Sequence, residues 1–479
     1  MYRKQDREQL YLEDFIMPFG GKLRAGNRWV KLAGIMPWDF IEDVYAESMS
    51  ENDGAPAISS RIAFGSLYIK ENENLVDRRT VEYIAENPYM QYFLGLQEFR
   101  DEPLFDASMM VHFRKRFPAE KIEEINRLIV ATMKKTDDED SGEPPPNKGK
   151  LVLDATCAPA DIRYPTDISL LNEARENTEE IIDILEPLQP LNRAQRRQQL
   201  KDRKRARGKF RSIVLQRNPG KRKISAAIGN QLKYLWKNIE RISSIMLNHG
   251  TGALEEKHLL RIMTICELYR QQLYMWQNKT HKCENRIVSL RQPHIRPIVR
   301  GKAGKPYEFG QKIAISVVNG YTFIEEQSFE NINEGTTLIE SVERYKQRFG
   351  FYPKAVLADQ IYRNRGNIDY CKKHGIRITG PQLGRPKAQI KEENESQSYQ
   401  DYCERNIVEG RIGISKRHFG LDLIMCYLPE TALTEAALQV MCTNFSVWMK
   451  SFFTFFGSVF IMVFSASKRK NICFLLQFS

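Results

Sequence analysis

LVLDAT, residues 151–156, is an apolar run that meets a carboxylate at Asp154, and AVLAD, residues 355–359, repeats the pattern at Asp359. Short runs rich in Val, Leu and Ala, bounded by polar or turn-forming residues, read as buried strands. An aspartate closing such a strand is expensive unless it is paired, hydrogen-bonded or bound to a cation. Two of these strands side by side would bring both carboxylates to one sheet edge. There their like charges repel, and a divalent cation is a natural stabiliser. Taken singly, each aspartate can also be read as the cap of the turn or helix that follows it.

The residues around these two runs set the fold class. KIAISVVNGYTFIEEQSF, residues 312–329, holds Asn319-Gly320 between two β-rich halves and reads as a hairpin. TLIESVERYKQRFG, residues 337–350, is an amphipathic helix closed by Gly350. RGNIDYCKKHG reads as a further helix over residues 365–375, and IRITGP as a short strand over 376–381. From Lys150 the order is therefore strand, a long helical insertion at about 172–298, hairpin, helix, strand, helix, strand, helix. Without the insertion this is an α/β arrangement, a mixed sheet flanked by helices in the order of a ribonuclease H-like core.

Before it, residues 1–135 read as an all-helical N-terminal domain, and residues 136–150 as an acidic, then Pro-rich linker. Residues 151–450 form the expected catalytic domain, with an apolar tail at 451–479. In that tail SFFTFFGSVFIMVF, residues 451–464, is shorter than the roughly 18 residues a membrane span needs. No membrane association is expected; a buried terminal helix or a non-native tail fits better. The hydrophobic fraction of 42% is enough to build cores, which excludes global disorder. The N-terminus lacks the apolar stretch of a signal peptide. The eight cysteines make no C-x-x-C pair or zinc spacing, which fits a reducing cytoplasm.

The net charge of +12 is unevenly distributed. Asn192 to Lys223 (NRAQRRQQLKDRKRARGKFRSIVLQRNPGKRK) has Asp202 as its only acid. Arg203, Lys204, Arg205 and Arg207 at its centre suit a polyanion backbone, although a charge run can also be a solvated face. Further on, YCERNIVEGRIGISK sets Tyr402, Arg405, Glu409 and Lys416 at steps of three, four and seven. On a helix these four project within about 60° of one another. Such a face could offer Glu409 to a metal and the two cations to phosphates. It could equally be a solvated charged face, since Arg405 and Glu409 are themselves an i,i+4 pair.

Tyr402, Arg405, Glu409 and Lys416 match Y-x2-R-x3-E-x6-K, and here the chain resembles the DDE transposases of bacterial insertion sequences. Arg79 to Phe117 resembles their N-terminal helical domain, and LVLDATCAPADIRYPTD the region of their first aspartate. Val299 to Lys312 resembles the stretch entering the next strand, and VLADQIYRNRGN the second aspartate region. The resemblance covers roughly residues 60 to 445. It implies that Asp154, Asp359 and Glu409 are a metal-binding catalytic triad served by Mg2+, with Mn2+ possible. Tyr402, Arg405 and Lys416 would contact DNA. The implied partners are double-stranded DNA, as element terminal repeats and as target, and a second copy of the chain on that DNA. The implied location is the bacterial cytoplasm, at the nucleoid.

Other residues are poorer candidates. Asp161, Asp167 and Asp369 lack an apolar strand leading in, and the seven histidines show no paired spacing. Trp236, Tyr269, Tyr274 and Trp276 recur at helical spacing and read as core. RRTVEYIAENP could sit in a helix-turn-helix-like arrangement. Two alternatives stay open: a transposase-derived DNA-binding protein that has lost catalysis, and a ribonuclease H-like nuclease that cuts without strand transfer.

Overall fold

The computed structural model describes residues 1, 2, 4, 11–134, 147–302, 305–380 and 391–449. The 451–479 tail and most of the 136–150 linker lie outside the described residues. The chain divides into two compact units, one of Met1–Pro159, Lys312–Ser328 and Ile332 onward, the other of Ala160–Gln311 with Phe329–Asn331.

The strands are β1 (Lys150–Pro159), β2 (Arg296–Lys302), β3 (Lys305–Val318), β4 (Tyr321–Ser328), β5 (Ala355–Leu357) and β6 (Arg377–Ile378). Their order is β2-β3-β1-β5-β6, with β4 also on β3. β1 runs parallel to β5 and β5 parallel to β6, whereas β3 is antiparallel to β2 and β4, so the sheet is mixed. The hairpin closes at the expected residues: Asn319 and Gly320 take φ of 51° and 83°, the paired positive values of a two-residue turn that suits strand twist. β1 differs from the sequence reading. It runs past Asp154 to Pro159, with Cys157 and Ala158 buried, so Asp154 sits in mid-strand where burial briefly relaxes.

Among the described residues, seven α-helices precede the sheet: α1 (Arg28–Ile35), α2 (Trp38–Glu47), α3 (Ser60–Asn72), α4 (Asp77–Glu86), α5 (Pro88–Phe93), α6 (Met109–Arg116) and α7 (Ala119–Lys134). The second unit contains α8 (Asp167–Leu185), α9 (Arg193–Val214), α10 (Lys221–His249) and α11 (Glu256–Gln277). The first resumes with α12 (Leu338–Phe349), α13 (Arg365–Lys373) and α14 (Lys391–His418). A further helix, α15, covers residues 429–449. α12 ends where Gly350 adopts the left-handed φ of 81°. It is fixed to the hairpin by Arg348, which grips buried Glu325 with two bonds of 2.6 and 3.2 Å.

α15 ties the N-terminal helices to the sheet. Phe445 packs edge-on against Tyr68 of α3 at 5.2 Å. Asn444 exchanges hydrogen bonds with the Thr322 backbone, accepting at 2.7 Å and donating at 2.7 Å, and also reaches Asn126 of α7 at 2.8 Å. Lys70 is buried between Glu71 (2.6 Å) and Glu435 (2.9 Å), and Gln439 donates to Glu71 at 3.1 Å. One ammonium cannot fully offset two buried carboxylates. Burial pushes Glu71 up to about 7, while Lys70 and two backbone N–H groups keep Glu435 ionised.

The second unit is built on the apolar stripes of its helices. Leu170, Leu171 and Ala174 of α8 meet Leu232 and Leu235 of α10 and Ile265 and Leu268 of α11. The aromatics expected in this core lie at its rim instead. Trp236 stacks on Tyr269 at 5.4 Å and remains half-exposed, as do Tyr274 and Trp276. Trp276 lies across Gly229, where a Cβ would come within 2.7 Å of the indole. The RRTVEYIAENP segment forms most of α4 and reaches the first residue of a second helix, α5, across Asn87. The second is only six residues long and buries Met90, Gln91, Tyr92 and Phe93, which leaves no recognition face for a groove.

Glu71 sets a pH dependence. Its folded pKa lies above its unfolded value, so the folded chain binds the extra proton and this contribution to stability falls as pH rises from about 4.5 to about 7. Glu71→Gln is expected to remove that slope, gaining roughly 2 kcal/mol over the wild type at pH 8 relative to pH 5. Urea unfolding at the two pH values checks it; an unchanged slope contradicts it.

Candidate active site

Parallel pairing aligns Lys150 with Ala355, Leu151 with Val356 and Val152 with Leu357. Asp154 follows the last paired residue of β1, Val152, by two positions, and Asp359 follows its partner Leu357 by two. Asp154 is partly buried and accepts a hydrogen bond from the Ala155 amide at 2.8 Å. Burial raises its carboxyl to about 6; the Ala155 bond opposes this, Glu334 and Glu409 add to the rise, and Arg405 opposes it. Asp359 is exposed and caps a 3-10 turn, Gln360–Tyr362, by accepting from the Gln360 amide at 2.7 Å. The capping reading of this residue is therefore met.

α14 supplies the third carboxylate. Its sheet-facing stripe is Asp401, Val408 and Ser415 at heptad spacing, all buried. Arg377 of β6 holds Asp401 (2.8 Å to Oδ1), and Ser415 meets Thr443 of α15 at 2.7 Å. The neighbouring stripe turns Arg405 and Glu409 toward the strand ends. Arg405 reaches Asp359 at 3.6 Å and Glu409 at 3.9 Å, so one guanidinium spans the two carboxylates. Lys416, on the same stripe, donates to the Cys157 carbonyl of β1 at 2.8 Å. Tyr402 stands 59% exposed one turn before Arg405.

Among the described residues, no three His, Cys, Asp or Glu side chains converge closely enough to share a metal ion. Arg405 pairs with two of the three candidate acids, Asp359 and Glu409. The donor set, carboxylate oxygens only, suits a hard divalent ion. Glu334 is the acid that sequence reading missed. It sits in NINEGTT with no apolar strand leading in, so nothing in its own segment marks it. Its charge nevertheless bears on Asp154.

Two family profiles match the chain. One, described as a transposase DDE domain, covers residues 356–446, and so takes in Asp359 and α14. The other, described as a transposase domain (DUF772), covers residues 18–116. An uncharacterized protein, ORF8 in the nfe locus of Rhizobium meliloti, is 32% identical over 145 residues, 30% of this chain and 68% of that protein. The chain belongs to the DDE transposases of insertion sequences. No solved structure matches. DDE transposases act on DNA and generally use divalent metal, which agrees with an all-oxygen donor set. Among the described residues no helix is long and apolar enough to cross a membrane.

The basic block of this transposase forms α9, whose only buried residue is Ala206. Arg203 is committed to Asp183 by two bonds of 2.8 and 2.7 Å. Asp202, the lone acid, pairs with Lys237 of α10 at 3.5 Å. Lys204, Arg205 and Arg207 are exposed. Asp167 is tied to Arg286 at 2.8 Å, a structural partner that explains an aspartate away from the strands. Asp161 and Asp369 gain no metal-holding neighbours among the described residues.

Arg203→Ala is expected to destabilise the protein by about 1–2 kcal/mol, because Asp183 and the Glu179 carbonyl lose a bidentate donor. Lys204→Ala and Arg205→Ala are expected to leave thermal unfolding unchanged. Equal losses for all three would contradict this division of the helix.

Proposed function

We propose that this transposase is catalytically active, cutting the ends of its insertion sequence and joining the freed 3′-hydroxyl to target DNA. The observation that supports the reading is the Arg405 guanidinium of α14, which lies 3.6 Å from Asp359 and 3.9 Å from Glu409 and whose charge also bears on Asp154. We read the sheet with its helices as a ribonuclease H-like core of about residues 151–450, interrupted by the helical insertion at 172–298.

In this reading Asp154, Asp359 and Glu409 hold two divalent ions, magnesium with manganese as a substitute. When bound, such ions activate water and the 3′-hydroxyl for in-line displacement at phosphorus, with no protein nucleophile. The chain's own residues position the substrate. Arg405, released from the acids it spans, is a planar donor suited to a phosphate. Tyr402 contacts the DNA backbone from its exposed position, and Lys416 does so from the β1 side of the helix. Lys204, Arg205 and Arg207, with Arg203 anchoring their helix, contribute salt-sensitive backbone affinity. The helices of residues 1–135 contribute sequence reading, and residues 136–150 link them to the core. Two ends must be brought together, so the working species is a homodimer on DNA, at the nucleoid in the cytoplasm.

The test is Mg2+-dependent cleavage of duplex DNA carrying the element's ends. Asp359→Ala and Glu409→Ala are expected to lower cleavage by at least about a thousand-fold, the scale on which key transition-state groups act, while DNA binding survives. Joined products distinguish a transposase from a nuclease that only cuts. Binding without cleavage by the unmodified protein would replace this reading with that of a DNA-binding relic. Charge removal at Lys204, Arg205 and Arg207 together is expected to weaken DNA binding and flatten its salt dependence by roughly one unit of slope for each phosphate no longer neutralised.

A further inference from the structure

A fourth acid stands beside the three already described. Glu334 opens a 3-10 turn, Glu334–Thr336, that docks directly on the Gln360–Tyr362 turn following Asp359. The approach is tight: a Cβ on Gly335 would lie 2.5 Å from the Ile361 carbonyl oxygen. Asn364 and Asn367 both donate to the Gly335 carbonyl, at 3.0 and 2.7 Å, and Asn367 also donates to the Tyr362 carbonyl at 2.8 Å. The two turns therefore move as one piece with Asp359.

Glu334 is held by a dedicated counter-ion. Lys312 of β3, mostly buried, bonds it at 2.9 Å and is itself oriented by the Ile332 carbonyl at 2.7 Å. Tyr362, which ends the turn after Asp359, is fully buried, with its hydroxyl beside Thr337 yet without a hydrogen-bond partner of normal geometry. Burial drives its pKa up, and the charges of Glu334, Asp154 and Asp359 add to the rise. A buried hydroxyl without a partner is costly and calls for a function.

We propose that Glu334 is a positioning residue for cation binding at Asp154, its charge set by Lys312, with the Tyr362 hydroxyl as the donor that orders the acids once a cation draws them together. The inference rests on the metal reading of Asp154, Asp359 and Glu409. Negative charge at Glu334 strengthens the attraction for a divalent ion, and Lys312 tempers it. Removing each partner must therefore shift cation affinity in opposite directions. A merely structural pair would shift it one way only.

The experiment is Mn2+ binding to the full chain without DNA, read from the spectrum of the free ion by electron paramagnetic resonance. The variants are Glu334→Gln, Lys312→Met and Tyr362→Phe, with Asp359→Ala as reference and thermal unfolding recorded for each. Glu334→Gln is expected to bind about ten-fold more weakly and Lys312→Met about ten-fold more tightly. Tyr362→Phe is expected to bind more weakly without any loss of thermal stability, since its hydroxyl makes no bond to lose. Changes of the same sign in Glu334→Gln and Lys312→Met, or no change in either while Asp359→Ala weakens binding, overturn the inference alone. Unchanged binding in Asp359→Ala overturns the metal reading and the inference with it.

Discussion

Parallel pairing of β1 with β5 commits the chain to an electrostatic problem. The register that buries Leu151, Val152, Val356 and Leu357 also leads both chains to an aspartate two residues beyond the last pair, Asp154 and Asp359, where like charges repel. The surroundings answer that repulsion in steps. Asp154 takes a backbone hydrogen bond, Asp359 caps its own turn, and Arg405 spans Asp359 and Glu409. Each answer is partial, as the raised Asp154 carboxyl records. A site so arranged favours any cation that can reach it.

The supports of α14 give Arg405 its position. Asp401 and Ser415, on the buried stripe beside the one that carries Arg405 and Glu409, anchor the helix to β6 and to α15. α15 in turn is held through Lys70, Glu71, Glu435 and the Asn444 bonds to helices drawn from the N-terminal third of the chain. Buried ionic and amide interactions of this kind contribute modestly to net stability, but breaking one partner is severe. The position of α14 thus depends on side chains far from it in sequence.

Strand and helix placement is legible where local chemistry is decisive. Asn319-Gly320 can only close a tight hairpin, Gly350 ends a helix whose apolar stripe stops with it, and LVLD and VLAD are too apolar for anything but buried strands. The pairing of those two strands is suggested only by their shared pattern, and the register supports it. The face formed by Tyr402, Arg405, Glu409 and Lys416 follows from helical spacing. Proximity between distant segments is not legible in the same way. Glu334 has no local signature; its turn reaches the one after Asp359 by close packing at Gly335. Arg203 looks like its neighbours in a basic run, and only the approach of α8 singles it out for Asp183. The aromatics of α10 and α11 share helical spacing with core residues, yet they fall just outside the buried stripe.

The central claim is that Asp154, Asp359 and Glu409 close on divalent metal in place of the Arg405 guanidinium. Anomalous scattering from crystals of the protein soaked in Mn2+ tests it most directly. The account predicts a peak ligated by oxygens of these three carboxylates, with Arg405 swung away from Asp359 and Glu409. No peak there, with Arg405 still spanning both acids at saturating Mn2+, would contradict it.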